Sequence, residues 1–501
     1  MILSRFISKL NLKPWVFYGT GFIVLELLSY FSLFNPLVNQ VTFGVLIVAT
    51  FLVALYKLEY GWLIVLGELF IGSMGRLFVV EISGFTLSLR MALWLVILTV
   101  FVGKLIHDWF KNKQAGAYFQ ALKNFKPGKY FLILALLIII GLVNAYARGN
   151  DLLLIFNDFN GWLYYLLLLP AIIVYAPANK NSEKNLKTLF ISAAVWLGIK
   201  TFLLLYVFTH NLSFSSEVYF WLRKTLVGEM TATLSGWPRI FIQGQIFAAA
   251  ALFLVFWQNF KIAQKQYLAK VGNLILAALF MGVLLISFSR SFWLALILTL
   301  GFLLIVVWRV YSGKHFLRSI LWLVAVSALA FGLLYLTTVF PYPRSGSFNA
   351  DFAGRANIGN SGEAAISSRW SLLPVLMKEI IKEPIFGQGY GATVTYISND
   401  PRVLEKNPLG LYTTYAFEWG YLDTWLKIGA IALFTYLLLI FYLIKQALIL
   451  GYKHASPLLF GLAGTLIFLA ITNFFTPYLN HPLGIGVIVL GACLINKYRV
   501  Y

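Results

Sequence analysis

Charged side chains are scarce in this sequence: Asp, Glu, Lys and Arg together make up 11% of its 501 residues. Because soluble globular proteins carry about 25% charged residues, this chain has too little polar surface to cover a water-exposed body. Cysteine is also nearly absent, and the single Cys493 excludes an internal disulfide. With 60% apolar residues and a mean hydropathy of +0.82, the composition excludes a soluble cytosolic or nuclear protein and a secreted disulfide scaffold. It indicates an integral membrane protein.

Long apolar runs are what the sequence has in abundance. A membrane-spanning helix needs about 20 mostly apolar residues. Fourteen runs meet or approach this length, or thirteen if a short one does not span. They lie near residues 15–35, 38–56, 59–75, 89–107, 130–146, 159–178, 187–209, 240–259, 271–289, 291–310, 319–340, 419–444, 456–476 and 482–496. We therefore predict an all-α polytopic membrane protein with about 14 transmembrane helices.

The basic residues predict the orientation of the chain in the membrane. If the N-terminus is cytoplasmic, 23 of the 39 Lys and Arg residues fall on inner segments. An even number of spans then returns the C-terminus to the inside, where Lys497 and Arg499 belong. We expect a multi-pass protein of the plasma membrane with both termini in the cytoplasm.

Arginine is distributed differently from lysine. Inner segments hold 19 of the 25 lysines, whereas ten of the 14 arginines lie within the spans or on outer segments. Insertion does not require this bias, and arginine suits bidentate recognition of phosphate or carboxylate. We predict that part of the outer set binds an anionic ligand and that the rest anchors the chain at the interface. No basic stretch is both long and soluble, which argues against a nucleic-acid partner. The ten are Arg76, Arg90, Arg148, Arg223, Arg239, Arg290, Arg344, Arg355, Arg369 and Arg402.

The longest connection is a predicted outer loop of 77 residues at 341–417. Apolar residues at helical spacing predict an amphipathic helix at 367–383, which Pro384 ends, on the membrane surface or over a cavity. Three glycines follow and allow tight turns whose backbone N–H groups could bind an anion: Gly387, Gly389 and Gly391. The chain thus divides into residues 1–340 with eleven predicted spans, the loop 341–417, and residues 418–501 with three more.

The order of these features resembles the bacterial O-antigen ligase and O-antigen polymerase superfamily. The resemblance covers roughly residues 239–445, and the first 230 residues match only as a run of spans. Each motif is loose, but their conjunction is fairly specific. The motifs are Arg239 before a span with a polar start, Ser289-Arg290 at the outer mouth of a span, Arg369-Trp370 on the loop helix, and Pro384 followed by Gly387 and Gly389.

The resemblance implies a membrane glycosyltransferase with a GT-C-like fold. Its donor would be an oligosaccharide on undecaprenyl diphosphate at the external face of the bacterial inner membrane, and its acceptor a glycan or a lipid. The family is metal-independent and needs no cofactor, because cationic side chains take the place of a metal at the diphosphate. Carried over by position, Arg239 and Arg369 would hold the diphosphate, with Arg290 as a third ligand.

One position departs from the family pattern. Ligases of the family have a histidine at the start of the span after the loop, with a leucine four residues on and a glycine eleven on. This chain keeps the spacing with Leu422 and Gly429 but has Glu418 in place of the histidine. We expect Glu418 to be the general base, with burial raising its pKa toward the working range. His481 and His210 are the rival bases. The departure favours a polymerase over a lipid A–core ligase.

Ionisable residues inside predicted spans leave a second interpretation open. Glu26, Glu68 and Lys200 either pair structurally or line a groove for the lipid carrier. Asp423 and Lys427, four residues apart on one helix face, are expected to pair. Such groups also occur in transporters, so a flippase for lipid-linked oligosaccharides, or another polysaccharide transporter, is the alternative function. The absence of an internal repeat argues against it.

Overall fold

The fold is that of a computed structural model, which describes residues 13–82, 84–112, 115–177, 179, 181–233, 236–260, 266–341 and 364–500. Its helices are α1 (Pro14–Phe31), α2 (Pro36–Tyr56), α3 (Leu58–Ile71), α4 (Leu89–His107), α5 (Ala115–Lys123), α6 (Gly128–Ala147), α7 (Leu152–Phe159), α8 (Leu168–Val174), α9 (Ser182–Thr209), α10 (Ser215–Thr225), α11 (Ile246–Gln258), α12 (Tyr267–Ile286), α13 (Arg290–Val310), α14 (Gly313–Val339), α15 (Ala364–Lys382), α16 (Pro401–Leu404), α17 (Gly420–Lys453), α18 (Pro457–Thr472) and α19 (Pro482–Val500). The chain is a mostly helical polytopic membrane protein.

Fewer helices than expected can span a membrane. Each of the fourteen predicted runs contains a helix, but within the described residues ten helices are long and apolar enough to cross, or eleven with the pair Leu152–Phe159 and Trp162–Val174, which bends by 42°. The other three runs form α3, α11 and α18, with 14, 13 and 16 residues. Every residue of α11 from Ile246 to Trp257 is buried. Protein rather than lipid surrounds such a helix, and hydropathy does not distinguish the two. The prediction of fourteen spans is therefore wrong.

The all-α expectation also needs correction, because the described residues include three antiparallel hairpins. Their strands are β1 (Val79–Ile82) with β2 (Phe85–Ser88), β3 (Gly228–Ala232) with β4 (Pro238–Ile242), and β5 (Val394–Ile397) with β6 (Leu411–Thr414). All three lie on connections that the charge pattern assigns to the outside. Strands of four or five residues beside long apolar runs leave little periodicity to detect.

The helix of the long loop, α15, packs on protein. Its buried residues Leu372, Leu376 and Ile380 form a small separate core with residues of β5 and of the start of α17. Trp370 and Ile381 stay exposed on the opposite side. The helix starts at Ala364 and contains Pro374. It therefore holds the loop against the bundle.

The intramembrane charges are neutralised in pairs. Lys200 Nζ lies 2.5 Å from Glu26 Oε1, and Trp196 Nε1 donates to the other oxygen of the same carboxylate at 3.0 Å. Arg90 donates from Nε and Nη2 to the two oxygens of Glu68, at 2.8 and 3.0 Å. Because a buried charge without a partner is strongly unfavourable, these pairs give the groups a structural role.

Candidate active site

Arg369 and Glu418, two of the predicted site residues, contact each other directly. Arg369 lies on α15, and Glu418 stands two residues before α17 begins. Their side chains form an ion pair between Nε and Oε2. The neighbouring Trp419 holds the two segments together, since its Nε1 donates to the Arg369 carbonyl at 3.1 Å and its ring packs edge-on against Trp370 at 5.7 Å. The loop helix and the start of α17 thus form one wall of the site.

Arg290 supplies a second positive charge at this wall. It is the first residue of α13, and its charge, added to the larger effect of partial burial, lowers the pKa of Arg369 below its ordinary value. Neighbouring guanidinium groups repel each other; Glu418 offsets part of this repulsion at Arg369, and a bound anion would offset more. The arrangement therefore favours a negatively charged ligand.

Arg239 approaches the same turn from the second hairpin. Along β4 the residues alternate, with Pro238, Ile240 and Ile242 buried and Arg239 on the other face. Arg239 Nε donates to the carbonyl of Ser287 at 2.9 Å, three residues before Arg290. The guanidinium also lies 5.2 Å from the centre of the Phe241 ring. Arg239 thereby supports the turn that carries Ser289 and Arg290.

That turn is strained. Phe288 is fully buried and has a positive φ of 47°, a conformation that is rare for a bulky residue and costs about 1–3 kcal/mol. The backbone N–H of Ser289 donates to Ser287 Oγ at 3.2 Å, which fixes the turn. Strain of this kind is typical of functional sites, and here it sets the direction in which α13 starts.

The environment of Glu418 differs from the expectation. Its side chain is 53% exposed, so the predicted burial is wrong. The expectation came from its place at the start of an apolar run, but the chain extends by two residues before α17 begins and leaves the carboxylate at the surface of the site. An adjacent cation, rather than an apolar pocket, defines its surroundings.

The glycine-rich turn has a different role from the predicted anion site. Its backbone N–H groups are occupied: Gly387 donates to Glu383, Gly389 to Lys427, and Gly391 to Asp158 Oδ2. The interpretation as an anion nest is therefore wrong. The glycines permit close packing, since a Cβ at Gly389 would collide with the backbone of Ala145 on α6.

Close packing also explains the glycine at position 429, which keeps the family spacing from Glu418. It has φ 82° inside α17, and a Cβ there would collide with the carbonyl of Ile385. The chain just after the loop helix packs into this break, where Ala430 N donates to the Pro384 carbonyl at 2.9 Å. Trp425 Nε1 donates to the same carbonyl at 2.8 Å. The break in α17 is thus where the loop is anchored to the bundle.

A buried charge cluster below the site was only half predicted. Asp423 and Lys427 pair at 2.5 Å, which confirms the prediction for these two residues. Asp158, from the bent helix pair, lies 2.5 Å from the same ammonium and also binds the Gly391 N–H. Sequence reasoning missed it because Asp158 is distant in the chain and no local spacing points to it. The cluster anchors the glycine turn to the bundle.

The other predicted cations and bases lie elsewhere. Among the outer arginines, Arg90, Arg148 and Arg223 are paired with Glu68, Glu383 and Glu229. His210 is buried against Tyr206, whose carbonyl lies 3.0 Å from Nδ1. His481 borders a cavity beside Arg90, and burial, then Arg90, lowers its pKa to about 3. Among the described residues, no group of three or more His, Cys, Asp and Glu could hold a metal ion.

Comparison with known families addresses the C-terminal half. Residues 274–437 match the family described as O-antigen ligase. The matched segment contains Arg290, Arg369 and Glu418, whereas Arg239 lies before it. No curated protein matches the chain. Residues 274–437 are an O-antigen ligase family domain, and this domain is part of a multi-pass membrane protein.

Proposed function

We propose that this protein is a metal-independent glycosyltransferase that polymerises an oligosaccharide carried on undecaprenyl diphosphate. The reaction takes place at the external face of the bacterial inner membrane, with both termini in the cytoplasm. The observation that carries the proposal concerns Arg369. Its side chain forms an ion pair with Glu418, and the positive charge of Arg290 is close enough to lower its pKa. It brings a candidate diphosphate ligand and a candidate base together.

The three arginines hold the donor diphosphate. Arg369 and Arg290 bind its oxygens directly, because paired guanidinium groups match the charge and geometry of phosphate. Arg239 supports the turn before Arg290 through the Ser287 carbonyl and adds positive charge on the other side. The cations stabilise the leaving group, the task that a metal ion performs in other transferases.

Glu418 is the general base. A hydroxyl of the acceptor glycan attacks the anomeric carbon of the donor sugar, and Glu418 takes the hydroxyl proton. The bond between the anomeric carbon and the diphosphate oxygen breaks, and its electron pair leaves with the diphosphate. The products are a longer lipid-linked glycan and undecaprenyl diphosphate. A single displacement of this kind inverts the anomeric centre.

The ion pair with Arg369 makes the base dependent on the donor. Without donor, Glu418 and Arg369 neutralise each other. A bound diphosphate carries more negative charge than one carboxylate and takes over Arg369, which releases Glu418 for proton transfer. The base is therefore free only when there is a sugar to transfer, and this limits loss of the donor to water.

The glutamate supports the polymerase over the lipid A–core ligase, because the ligase histidine is replaced at this position. The ionisable residues that suggested a transporter have structural partners. Glu26, Glu68 and Lys200 each lie in a buried ion pair, and pairing satisfies them without a transported ion.

An in vitro transfer assay tests the proposal. Purified protein in lipid nanodiscs is mixed with native undecaprenyl-diphosphate oligosaccharide in the presence of EDTA. We expect a ladder of longer lipid-linked glycans from the wild type and none from Glu418→Gln or Arg369→Ala. Product only after addition of lipid A–core would identify a ligase. Movement of lipid-linked sugar across vesicles without any transfer would support the transporter.

A further inference from the structure

A cavity of about 740 Å³ lies beside the candidate active site. It is bounded by the first hairpin, the start of α4, the bent helix pair and the turn before α19. Within the described part of the chain, its wall contains neither Glu418 nor any of the three arginines proposed for the diphosphate. Its volume falls in the range of small-molecule sites. The cavity is therefore a separate site that the donor diphosphate does not explain.

Tyr164 is part of the cavity wall and carries a covered, unsatisfied hydroxyl. The residue is 4% exposed, and its Oη has no hydrogen-bond partner among the described residues. A buried hydroxyl without a partner costs about 1–3 kcal/mol, so such groups are usually satisfied by a ligand or water. A ligand hydroxyl at this wall would meet the need once the Tyr164 ring turns its Oη toward the cavity.

His481 presents a second polar group to the cavity. Its Nδ1 accepts from the backbone N–H of Leu483 at 3.3 Å, which assigns the proton of the neutral ring to Nε2. Because its pKa is lowered to about 3, the ring is neutral at physiological pH. The wall also includes the amides of Asn157 and Asn160 and the rings of Trp94 and Tyr415. Amide and hydroxyl groups beside aromatic faces suit sugar rings, whose edges are polar and whose faces are apolar.

A diphosphate is the rival occupant, because Arg76 and Arg90 also border the cavity. The guanidinium of Arg90 is already used: Nε and Nη2 bind Glu68, and Nη1 donates to the Ser73 carbonyl at 2.7 Å. Asp158 in the same wall shares Lys427 with Asp423, and the one net negative charge of this cluster opposes an anion. The charges therefore favour a polyhydroxylated ligand.

The cavity reaches the candidate base through two connections. Tyr415, three residues before Glu418, is part of its wall. Asn480, also in the wall, donates to Asp423 Oδ2 at 2.7 Å and accepts from Thr424 Oγ1 at 3.0 Å, near the start of α17. Three helical steps of about 1.5 Å and two extended steps of about 3.5 Å place Asp423 within roughly 11 Å of the Glu418 position along the chain. A sugar in the cavity could extend a hydroxyl toward Glu418.

We infer that this cavity binds the end of the acceptor glycan that receives the new sugar, an inference that rests on the proposed function. The acceptor is thus held by Tyr164, His481 and the neighbouring amides, and the donor by the three arginines. The two substrates enter from different sides of Glu418.

Titration calorimetry with the full chain in nanodiscs tests the acceptor site. The probe is the repeat oligosaccharide released from its lipid carrier by mild acid, which contains no diphosphate. We expect the wild type to bind it. Tyr164→Phe, which removes only the hydroxyl, should bind roughly three- to tenfold more weakly. Thr86→Trp should fill the cavity from β2 and lower affinity by at least about tenfold. Ile82→Trp, exposed on β1 and outside the cavity wall, is the control and should bind normally.

A second titration with undecaprenyl diphosphate separates the two proposals and checks folding. The cavity variants should bind this lipid like the wild type, and Arg369→Ala should not. The inference is overturned if the wild type does not bind the oligosaccharide. It is also overturned if both cavity variants bind it as tightly as the wild type does. Loss of diphosphate binding instead of sugar binding in those variants would overturn it in favour of an anion site. Normal diphosphate binding by Arg369→Ala would count against the proposed function alone.

Discussion

Arg369 on the loop helix and Glu418 before α17 form an ion pair, although 48 residues of chain separate them. The pair joins the proposed diphosphate ligand with the proposed general base. Each is only partly exposed to water, with 37% of the Arg369 side chain and 53% of the Glu418 side chain accessible. A ligand can reach both, so in the proposed reaction the donor diphosphate competes with Glu418 for Arg369.

Replacing Arg369 tests the diphosphate site. We expect Arg369→Ala to lower transfer by about 100-fold or more, because an electrostatic contact to the leaving group is lost. Arg369→Lys should be intermediate, since it keeps the charge but not the bidentate fork. Rates are measured with lipid-linked oligosaccharide, and Lys382→Ala on the same helix is the control because Lys382 pairs with Glu379 at the surface. Wild-type rates in Arg369→Ala would contradict the assignment.

Glu418→Gln should separate catalysis from binding. Loss of a general base lowers the rate by roughly 10²–10⁴-fold. Donor binding should be retained, because a neutral amide no longer competes with the diphosphate for Arg369. Affinity for undecaprenyl diphosphate and transfer rate are measured on the same preparation. Glu405→Gln, an exposed change in the same loop, should leave both unchanged. A variant with normal transfer, or with donor binding lost, would refute the role of Glu418.

The buried cluster around Lys427 should be sensitive to loss of its cation. Lys427→Met leaves Asp158 and Asp423 close together without a counter-ion, and breaking a buried pair costs about 3–5 kcal/mol. We expect a much lower melting temperature in detergent. Lys445→Met, on the exposed face of the same helix, should melt like the wild type. Equal melting of the two variants would show that the cluster is not structural.

Gly389 and Gly149 distinguish close packing from backbone strain. Both have positive φ, 87° and 70°. A Cβ at Gly389 would collide with Ala145, whereas no described residue lies within 4 Å of a Cβ at Gly149. Gly389→Ala should therefore lower the melting temperature more than Gly149→Ala and reduce transfer by displacing the loop. Similar effects of the two changes would mean that backbone strain alone matters.

His481 should make stability depend on pH. Its pKa is about 3 in the folded protein, below the ordinary value of 6.5, so only the unfolded chain gains a proton as pH falls from 6.5 toward 3. The stabilisation is present above pH 6.5 and declines below it, by up to about 2 kcal/mol near pH 5. Between about pH 7.5 and about pH 5, the melting temperature of His481→Asn should fall less than that of the wild type. His107→Asn, an exposed change, should follow the wild type, and identical curves for all three proteins would contradict the prediction.

The sequence predicted those parts of the molecule that depend on local chemistry. Within the described residues, each candidate membrane span overlaps a predicted apolar run, and helical spacing located α15 to within three residues of its start. The Asp423–Lys427 pair followed from a spacing of four on one helix face. Asp158 and the cavity around Tyr164 did not follow, because they are assembled from segments that meet only in the folded bundle.

By itself, the sequence determined that the chain enters a membrane, where its long apolar helices lie, and which family its C-terminal half resembles, since composition, periodicity and motif order are properties of neighbouring residues. Only the tertiary structure decided that α3, α11 and α18 are too short to count among the ten or eleven candidate spans within the described residues. It also decided that the glycine turn packs the loop onto the bundle and that Glu418 meets Arg369. Burial and ion pairing depend on neighbours in space, and the chain does not bring those neighbours together until it folds.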